Sequence, residues 1–227
     1  MIENCKMSST TTTRPATSTG ATANRRRQAR ATATRTALLD AALVEFAAHG
    51  FEGASTRAIA ERAGTHQPQI NYHFDSKEAL WRAAVDHLFA RLDVTVRRHL
   101  DALPANNDRE RLASEIRAFT RAVAELPELN RIMVQEATID SDRLRWIVEQ
   151  HTRPRFERLT ATWRRLRRAG TVPDIDEVVL YYSLVGAASL AYVNAPEARL
   201  LSHDTMSKSF IDAHADALVI LFLGSDR

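Results

Sequence analysis

The sequence predicts an all-α protein in which a three-helix helix-turn-helix domain is followed by a larger helical domain. From Ala37 onward, apolar side chains recur three and four residues apart, which is the spacing of one face of an α-helix. Glycine and proline interrupt this pattern, and no segment alternates apolar and polar residues as a half-buried strand does. We therefore divide the chain into an N-terminal arm (1–33), a helix-turn-helix domain (34–80) and a helical domain (81–227).

The N-terminal arm is expected to be disordered and basic. Residues 1–33 are mainly Ser, Thr, Ala and Arg, so they bury too little apolar surface to offset the entropy of ordering. Residues 1–35 hold seven basic side chains and one acid, whereas residues 36–80 hold three bases and six acids. Two alternatives stay open. The segment can be a transit peptide, which has a similar composition, or translation can start later, for example at Met7.

Composition also bears on location. The one cysteine, Cys5, excludes an intrachain disulfide framework and fits a reducing cytosol. The arm lacks the apolar stretch of a secretory signal. The longest apolar runs, 184–193 and 217–223, are shorter than the roughly 20 residues that cross a bilayer. We therefore expect a cytoplasmic protein without a membrane span.

The first two helices are marked by their apolar faces and by their ends. A helix at about 34–49 is predicted from one face that carries Leu38, Leu39, Ala42, Leu43 and Phe46. His49-Gly50 ends this helix, since glycine accepts the left-handed conformation of a helix stop. Ser55 or Thr56 can cap a second short helix, which Gly64 ends.

The third helix, at about 66–72, is short, and the fourth is long. Asp75 and Ser76 offer N-cap oxygens for the fourth helix, predicted at about 76–103. Its apolar stripe consists of Leu80, Ala84, Leu88, Leu92 and Val96. Later helices are expected at 108–125, 127–138, 141–169 with an interruption at Pro154, 174–194 and 205–223.

One motif points to function. Ala60, Gly64 and Ile70 have the spacing of a helix-turn-helix, in which a small residue allows close approach, a glycine makes the turn and an aliphatic residue anchors the second helix. The surrounding stretch, Leu38 to Leu80, resembles the DNA-binding domain of the TetR/AcrR family of transcriptional regulators. The matching pieces are Leu39–Phe46, His49–Gly53, Ser55–Ala60, Ala63-Gly64 and Ile70–Leu80.

The resemblance implies a ligand-responsive repressor that binds a palindromic operator in double-stranded DNA as a homodimer and is released by a small molecule. It implies that the third helix reads base edges, with His66, Gln67, Gln69 and Asn71. It implies phosphate contacts from Thr56, Tyr72, His73 and Lys77. We expect the arm to add phosphate or minor-groove contacts through Arg25, Arg26, Arg27 and Arg30.

Simpler roles remain for several of these residues. Thr56 can act only as a helix cap, and Tyr72 and Phe74 can pack in the core. The position that this family often fills with tyrosine is Asn71 here, and Pro68 opens the third helix. The operator sequence is therefore left open.

Beyond residue 100 the resemblance is weak, and the roles follow from the family's architecture. A dimer interface on the last two helices would consist of Leu180, Leu184, Ala187, Ala188, Ala191, Phe210, Ala213, Ala217, Ile220 and Leu221. An effector pocket would be lined by Phe119, Met133, Trp146, His151, Tyr181 and Tyr182. The seven arginines between 153 and 168 fit a solvated helix face, with an anionic effector or DNA as the alternative.

Enzyme activity is not expected. The sequence has no metal-ligand spacing, nucleophile elbow or phosphate-binding glycine loop, and we expect neither a cofactor nor a metal. The main rival function is an architectural, nucleoid-type DNA-binding protein that uses the same helix-turn-helix without an effector.

Overall fold

A computed structural model describes residues 18–101 and 105–224. Within these ranges the chain is helical and forms no strand, which confirms the predicted all-α class. The helices are α1 (Ser18–Gly53), α2 (Thr56–Arg62), α3 (Gln67–His73), α4 (Lys77–Leu100), α5 (Asp108–Glu125), α6 (Pro127–Ala137), α7 (Asp142–Ile147), α8 (Arg153–Arg168), α9 (Glu177–Val193), α10 (Ala195–Leu200) and α11 (Lys208–Leu223). No helix in the described ranges is long and apolar enough to cross a membrane.

Helix α1 begins sixteen residues earlier than its predicted start at residue 34. Residues 18–33 are therefore helical, and the prediction of a disordered arm is wrong for them; residues 1–17 lie outside the described ranges. Once the packed part of a helix has formed, adding a residue fixes only one more backbone unit for one more hydrogen bond. Ala, Arg and Gln are good helix formers, so the helix extends without burying its side chains.

The three helices of the head, α1 to α3, share a small apolar core. Ile59 and Ala60 of α2 and Ile70 of α3 are buried together with Phe74, which follows α3. Gly64 lies between α2 and α3 with φ +66°, as predicted for the turn residue. Ser55, rather than Thr56, caps α2, because its side chain accepts a hydrogen bond from the Ala58 amide at 3.3 Å.

Helix α4 joins the head to the larger domain. Ser76 caps it by accepting a hydrogen bond from the Ala79 amide at 3.0 Å. Its buried face continues from Leu80 to Leu92, so one helix contributes to both cores. On its other side, His87 and Arg91 both contact Asp40 of α1, at 2.9 and 3.4 Å. A displacement of α4 is therefore transmitted directly to the head.

The larger domain is built around α5. Helices α5 and α11 run antiparallel and are joined by two ion pairs, Arg117–Asp216 at 2.6 Å and Arg121–Asp212 at 2.9 Å. A π-helical segment, Val148–Thr152, separates α7 from α8 just before Pro154, which confirms the predicted interruption. The sequence did not predict α10, since Pro196 follows the predicted end of the helix at 174–194 and proline is typical of a helix break. In the structure that proline lies in the first turn of α10, where its missing N–H costs nothing.

The turn at Gly64 generates a prediction. A Cβ at residue 64 would have no atom within 4 Å, so its cost is conformational and not steric. We expect Gly64→Ala to lower the free energy of unfolding by about 1 kcal/mol, because alanine disfavours positive φ. Gly64→Asn should cost less, since asparagine tolerates the left-handed region. Urea unfolding measures both variants, and equal losses would contradict the conformational explanation.

Candidate nucleic-acid interface and ligand cavity

The surface of α3 presents the four predicted base-reading residues to solvent. Ile70 points into the core, whereas His66, Gln67, Gln69 and Asn71 are all exposed. Gln67 Nε2 donates to Thr56 Oγ1 at 3.4 Å, which links the start of α3 to the start of α2. The side-chain amides of Gln69 and Asn71 make no hydrogen bond to other described residues, so they are free to meet an external partner. This face can therefore donate and accept hydrogen bonds at base edges.

The predicted phosphate contacts surround that face. Tyr72 is 75% exposed, so core packing is excluded for it, and its ring meets His73 edge-on at 4.9 Å. Phe74 is buried, as predicted for a packing residue. Lys77 Nζ donates to the Glu52 carbonyl at 3.1 Å and lies 5.0 Å from the Phe51 ring, so this cation is held against the end of α1.

The four predicted arm arginines lie on the first turns of α1. Arg25, Arg26, Arg27 and Arg30 are exposed, on a helix and not on a flexible segment. Sequence reasoning did not single out Arg35, whose guanidinium lies 5.2 Å from the centre of the Phe74 ring. That contact fixes the cationic part of α1 beside α3.

A cavity of about 570 Å³ lies in the larger domain, bounded by α4, α5, α6, α8 and α9. Its walls are mostly apolar, and three of the predicted pocket residues, Phe119, Met133 and Tyr181, line it. The other three do not. Trp146 and His151 stand behind the wall, and Tyr182 is 71% exposed on the outside of α9.

A few polar groups face this cavity. Arg155 Nη2 donates to Asp93 at 2.6 Å and Nη1 to the His151 carbonyl at 2.7 Å, so Arg155 is held by groups of the protein itself. Burial raises the pKa of the Glu115 carboxyl, although Arg158 and Arg111 oppose the shift. Asn130 is 7% exposed, and its side-chain nitrogen has no hydrogen-bond partner among the described residues.

Aromatic rings connect the cavity wall to the head. The His151 ring stacks on Phe89, a cavity residue, at 4.2 Å, and meets Trp146 at 5.3 Å. Trp146 then contacts Trp81 at 5.8 Å, and Trp81 contacts Phe51 of the head at 6.2 Å. We call these five residues the aromatic column. The sequence did not predict the aromatic column, because its members are far apart along the chain and each one has the pattern of an ordinary core residue.

His151 is the polar member of the aromatic column. Its Nε2 lies 2.9 Å from Asp86 Oδ1 of α4. Desolvation lowers the pKa of the imidazole below its ordinary value of 6.5, and Asp86 opposes this shift. The neutral ring is therefore favoured, which suits its stacked position against Phe89.

The predicted dimer interface needs correction. Leu180, Leu184 and Ala188 are buried in the protomer's own core, and Ala187 and Phe210 pack against that core. Helix α9 is apolar on all sides, so its periodicity does not reveal which face points outward. The outward apolar face of α9 and α11, which we call the bundle face, contains Val179, Tyr182, Gly186, Leu190, Ala213, Ala217, Ile220 and Leu221. Ala191 is half-buried beside it.

Most of the arginines between 153 and 168 form ion pairs inside the protomer. Five of them pair with acids: Arg153, Arg155, Arg164, Arg165 and Arg167. Arg158 lines the cavity, and Arg168 is exposed. Within the described ranges, no cluster of three or more His, Cys, Asp or Glu side chains could hold a metal ion.

Comparisons with known proteins agree with this geometry. Residues 38–84 match the family described as bacterial regulatory proteins, tetR family. The chain is 26% identical over 184 residues to the HTH-type transcriptional regulator BetI of Yersinia pestis (strain Pestoides F), covering 75% of this chain and 89% of BetI. It is 38% identical over 72 residues to the HTH-type transcriptional repressor KstR2 of Rhodococcus jostii (strain RHA1), covering 30% of this chain and 35% of KstR2.

Solved structures share the fold across both domains. A TetR family transcription regulator from Marinobacter aquaeolei VT8 has a TM-score of 0.67 at 17% identity, covering 86% of this chain and 98% of that one. The regulator FadR from Bacillus subtilis, solved with stearoyl-CoA, has a TM-score of 0.61 at 16% identity, covering 84% and 99%. The helix-turn-helix head therefore belongs to the tetR family of bacterial regulatory proteins, and the whole chain shares the fold of a solved TetR family transcription regulator.

Proposed function

We propose that the protein is a ligand-responsive repressor, which binds a palindromic operator as a homodimer and leaves it when a small molecule enters the cavity. The observation that carries the proposal is the exposed polar row on α3, His66, Gln67, Gln69 and Asn71, within a head that matches the family. KstR2, which is 38% identical to this chain over 72 residues, is named a repressor, and this supports repression over activation.

Electrostatics support a contribution to DNA binding from α1. The head between residues 36 and 80 has more acids than bases, which by itself disfavours approach to a polyanion. Four exposed arginines on the first turns of α1, Arg25, Arg26, Arg27 and Arg30, offset that charge. We propose that they contact phosphates beside the groove that α3 enters. A helix presents them in fixed positions, so this extension also limits how far they can reach.

The bundle face supports a homodimer. Leu221 is 72% exposed, and other apolar residues of the bundle face, such as Leu190 and Ile220, are also exposed. A contiguous apolar surface of this kind marks an interaction site. Gly186 and the alanines of α11 allow close helix approach, so two copies can form a four-helix bundle about a two-fold axis. Two heads held this way can bind the two halves of a palindrome.

The cavity and the aromatic column support release by a ligand. Phe89 lines the cavity, and the column runs from its ring to Phe51, whose face also contacts Lys77. A ligand that moves the Phe89 ring therefore also moves the rings packed against it, and this displacement reaches the head at Phe51. FadR from Bacillus subtilis, which shares the fold, was solved with a small molecule bound. Because the operator is chromosomal, we also propose that the protein works in the cytoplasm.

Base readout is tested by substitutions on α3. We expect Gln69→Ala and Asn71→Ala each to weaken operator binding by about 1–3 kcal/mol while random DNA is bound almost as before. Arg30→Gln is the control, because loss of a phosphate contact should weaken both DNAs and reduce the salt slope by about 1. Footprinting on the same DNA should show a short palindromic site. Sequence-independent, length-dependent coating would favour the architectural protein instead.

The dimer is tested at the bundle face. Leu221→Arg should yield monomers by light scattering and weaken operator binding roughly tenfold or more, because the two half-sites are no longer linked. Leu200→Arg is the matched control, since this leucine is at least as exposed as Leu221 but lies on α10 and is not part of the bundle face. A Leu221→Arg protein that stays dimeric would place the interface elsewhere.

Communication along the aromatic column is tested at its centre. Trp146→Leu removes the ring between His151 and Trp81, so we expect ligand and operator binding to persist while their coupling falls by about 0.5–2 kcal/mol. The measurement is operator affinity with and without a cavity ligand found by thermal-shift screening. Trp163→Leu, which removes a buried indole outside the column, is the control for destabilisation. Equal losses of coupling in both variants would contradict the role of the column.

A further inference from the structure

The polar groups that face the cavity are unequally satisfied. Arg155 and Asp93 neutralise each other at 2.6 Å. Arg97 and Arg158 also line the cavity, but within the described residues neither guanidinium makes a hydrogen bond or an ion pair. Both are exposed and therefore stand at the cavity mouth.

These two arginines lie on the same side of the Arg155–Asp93 pair. Contacts of His151 with Asp86 and of Arg155 with Asp93 show that α4 and the start of α8 run in the same direction. Arg97 is one turn beyond Asp93, and Arg158 is about one turn beyond Arg155. The cavity therefore has a cationic end, formed by residues of two different helices.

Deeper in the cavity, the unsatisfied groups are hydrogen-bond donors. The Asn130 side-chain nitrogen is buried without a partner, and so is the hydroxyl oxygen of Ser189. A buried amide without a hydrogen bond destabilises the empty protein. Both residues line the cavity, so a ligand oxygen can supply the missing acceptor.

The acids do not reverse this balance. Asp93 is already paired, and burial favours the protonated form of Glu115 by raising the pKa of its carboxyl. Among the described residues that line the cavity, Glu115 is the one carboxylate without an ion pair. A cationic ligand would thus meet two arginines without ion pairs and one acid, Glu115, whose charge Arg158 already offsets in part.

We propose that the effector is a largely apolar molecule with one anionic head group, held by Arg97 and Arg158, and an oxygen acceptor within its apolar body, held by Asn130. This inference rests on the proposed ligand-responsive function and names the chemistry of its ligand. Charge-assisted hydrogen bonds to guanidinium supply the preference for an anion. The apolar walls supply most of the affinity without choosing between head groups.

The head group is tested with three probes of equal chain length, decanoate, 1-decanol and decyltrimethylammonium. The two ionic probes are kept below their micelle concentrations and 1-decanol below its solubility limit. Isothermal titration of the full chain should show decanoate binding about tenfold or more tightly than 1-decanol, and the cation binding most weakly. Arg97→Gln/Arg158→Gln should reduce decanoate to the affinity of 1-decanol and leave 1-decanol unchanged. Arg168→Gln is the matched control, an exposed arginine of α8 outside the cavity. Equal affinities, or tighter binding of the cation, would overturn the proposal.

The oxygen acceptor of the ligand is tested by replacing Asn130 with leucine, which should reverse the preference between hydroxylated and plain decanoate. A panel of decanoates with a hydroxyl at different carbons should contain members that bind the wild-type protein more tightly than decanoate does. Asn130→Leu should reverse that order, since it removes the polar partner and leaves an apolar wall. If no hydroxylated probe exceeds decanoate, or if Asn130→Leu leaves the order unchanged, the role of Asn130 is wrong.

Operator binding is measured in parallel with each probe. If the carboxylates bind with the expected order but leave operator affinity unchanged, the ligand chemistry holds and the proposed release fails. If no probe binds while the operator is still recognised, the ligand chemistry is overturned and DNA binding stands. The two proposals therefore fail separately.

Discussion

The packing of Trp81 between Phe51 and Trp146 is the contact on which the rest of the structure depends. Trp81 is fully buried, and its ring touches the end of α1 on one side and α7 on the other. Arg143 lies 4.1 Å from the centre of the Phe51 ring and also pairs with buried Glu136 at 3.1 Å. The head is thus attached to the larger domain by a desolvated cluster and not by a flexible linker. This attachment adds a second link between the cavity wall and the head, beside the contacts of His87 and Arg91 with Asp40.

The sequence predicted the order and type of nearly every helix because their apolar faces are local patterns. Caps and stops added the ends: Ser76 begins α4, and Gly50, with φ 69°, interrupts α1. The exposed face of α3 followed from the resemblance alone. The start of α1 was missed because helix extension depends on the packed turn that follows it, and composition alone indicates disorder.

The larger domain was harder to predict in detail, for physical reasons. In α9 almost every residue is apolar, so spacing could not separate Leu184, which is buried, from Leu190, which is exposed. The cavity needs residues from five helices, and their assembly depends on tertiary contacts such as Asp93–Arg155. Phe119, Met133 and Tyr181, which the sequence suggested for an effector pocket, line this cavity, whereas Asn130 gave no signal in the sequence. A buried asparagine is distinctive only when its missing partner can be seen.

The cavity lowers the stability of the protein without ligand in two ways. An unpartnered buried amide costs about 1–3 kcal/mol, and the space of about 570 Å³ forgoes the packing that a filled core would supply. Leucine at position 130 would remove the first cost. The chain instead keeps an asparagine beside a cationic mouth, in a wall that packs directly onto the aromatic column. Filling the cavity therefore stabilises one arrangement of that wall, and the arrangement favoured by the ligand need not be the one that positions α3 on DNA. A difference of a few kcal/mol between the ligand's affinities for the two arrangements is enough to shift such an equilibrium. A ligand bond to Asn130 that forms in only one arrangement would supply a difference of that size.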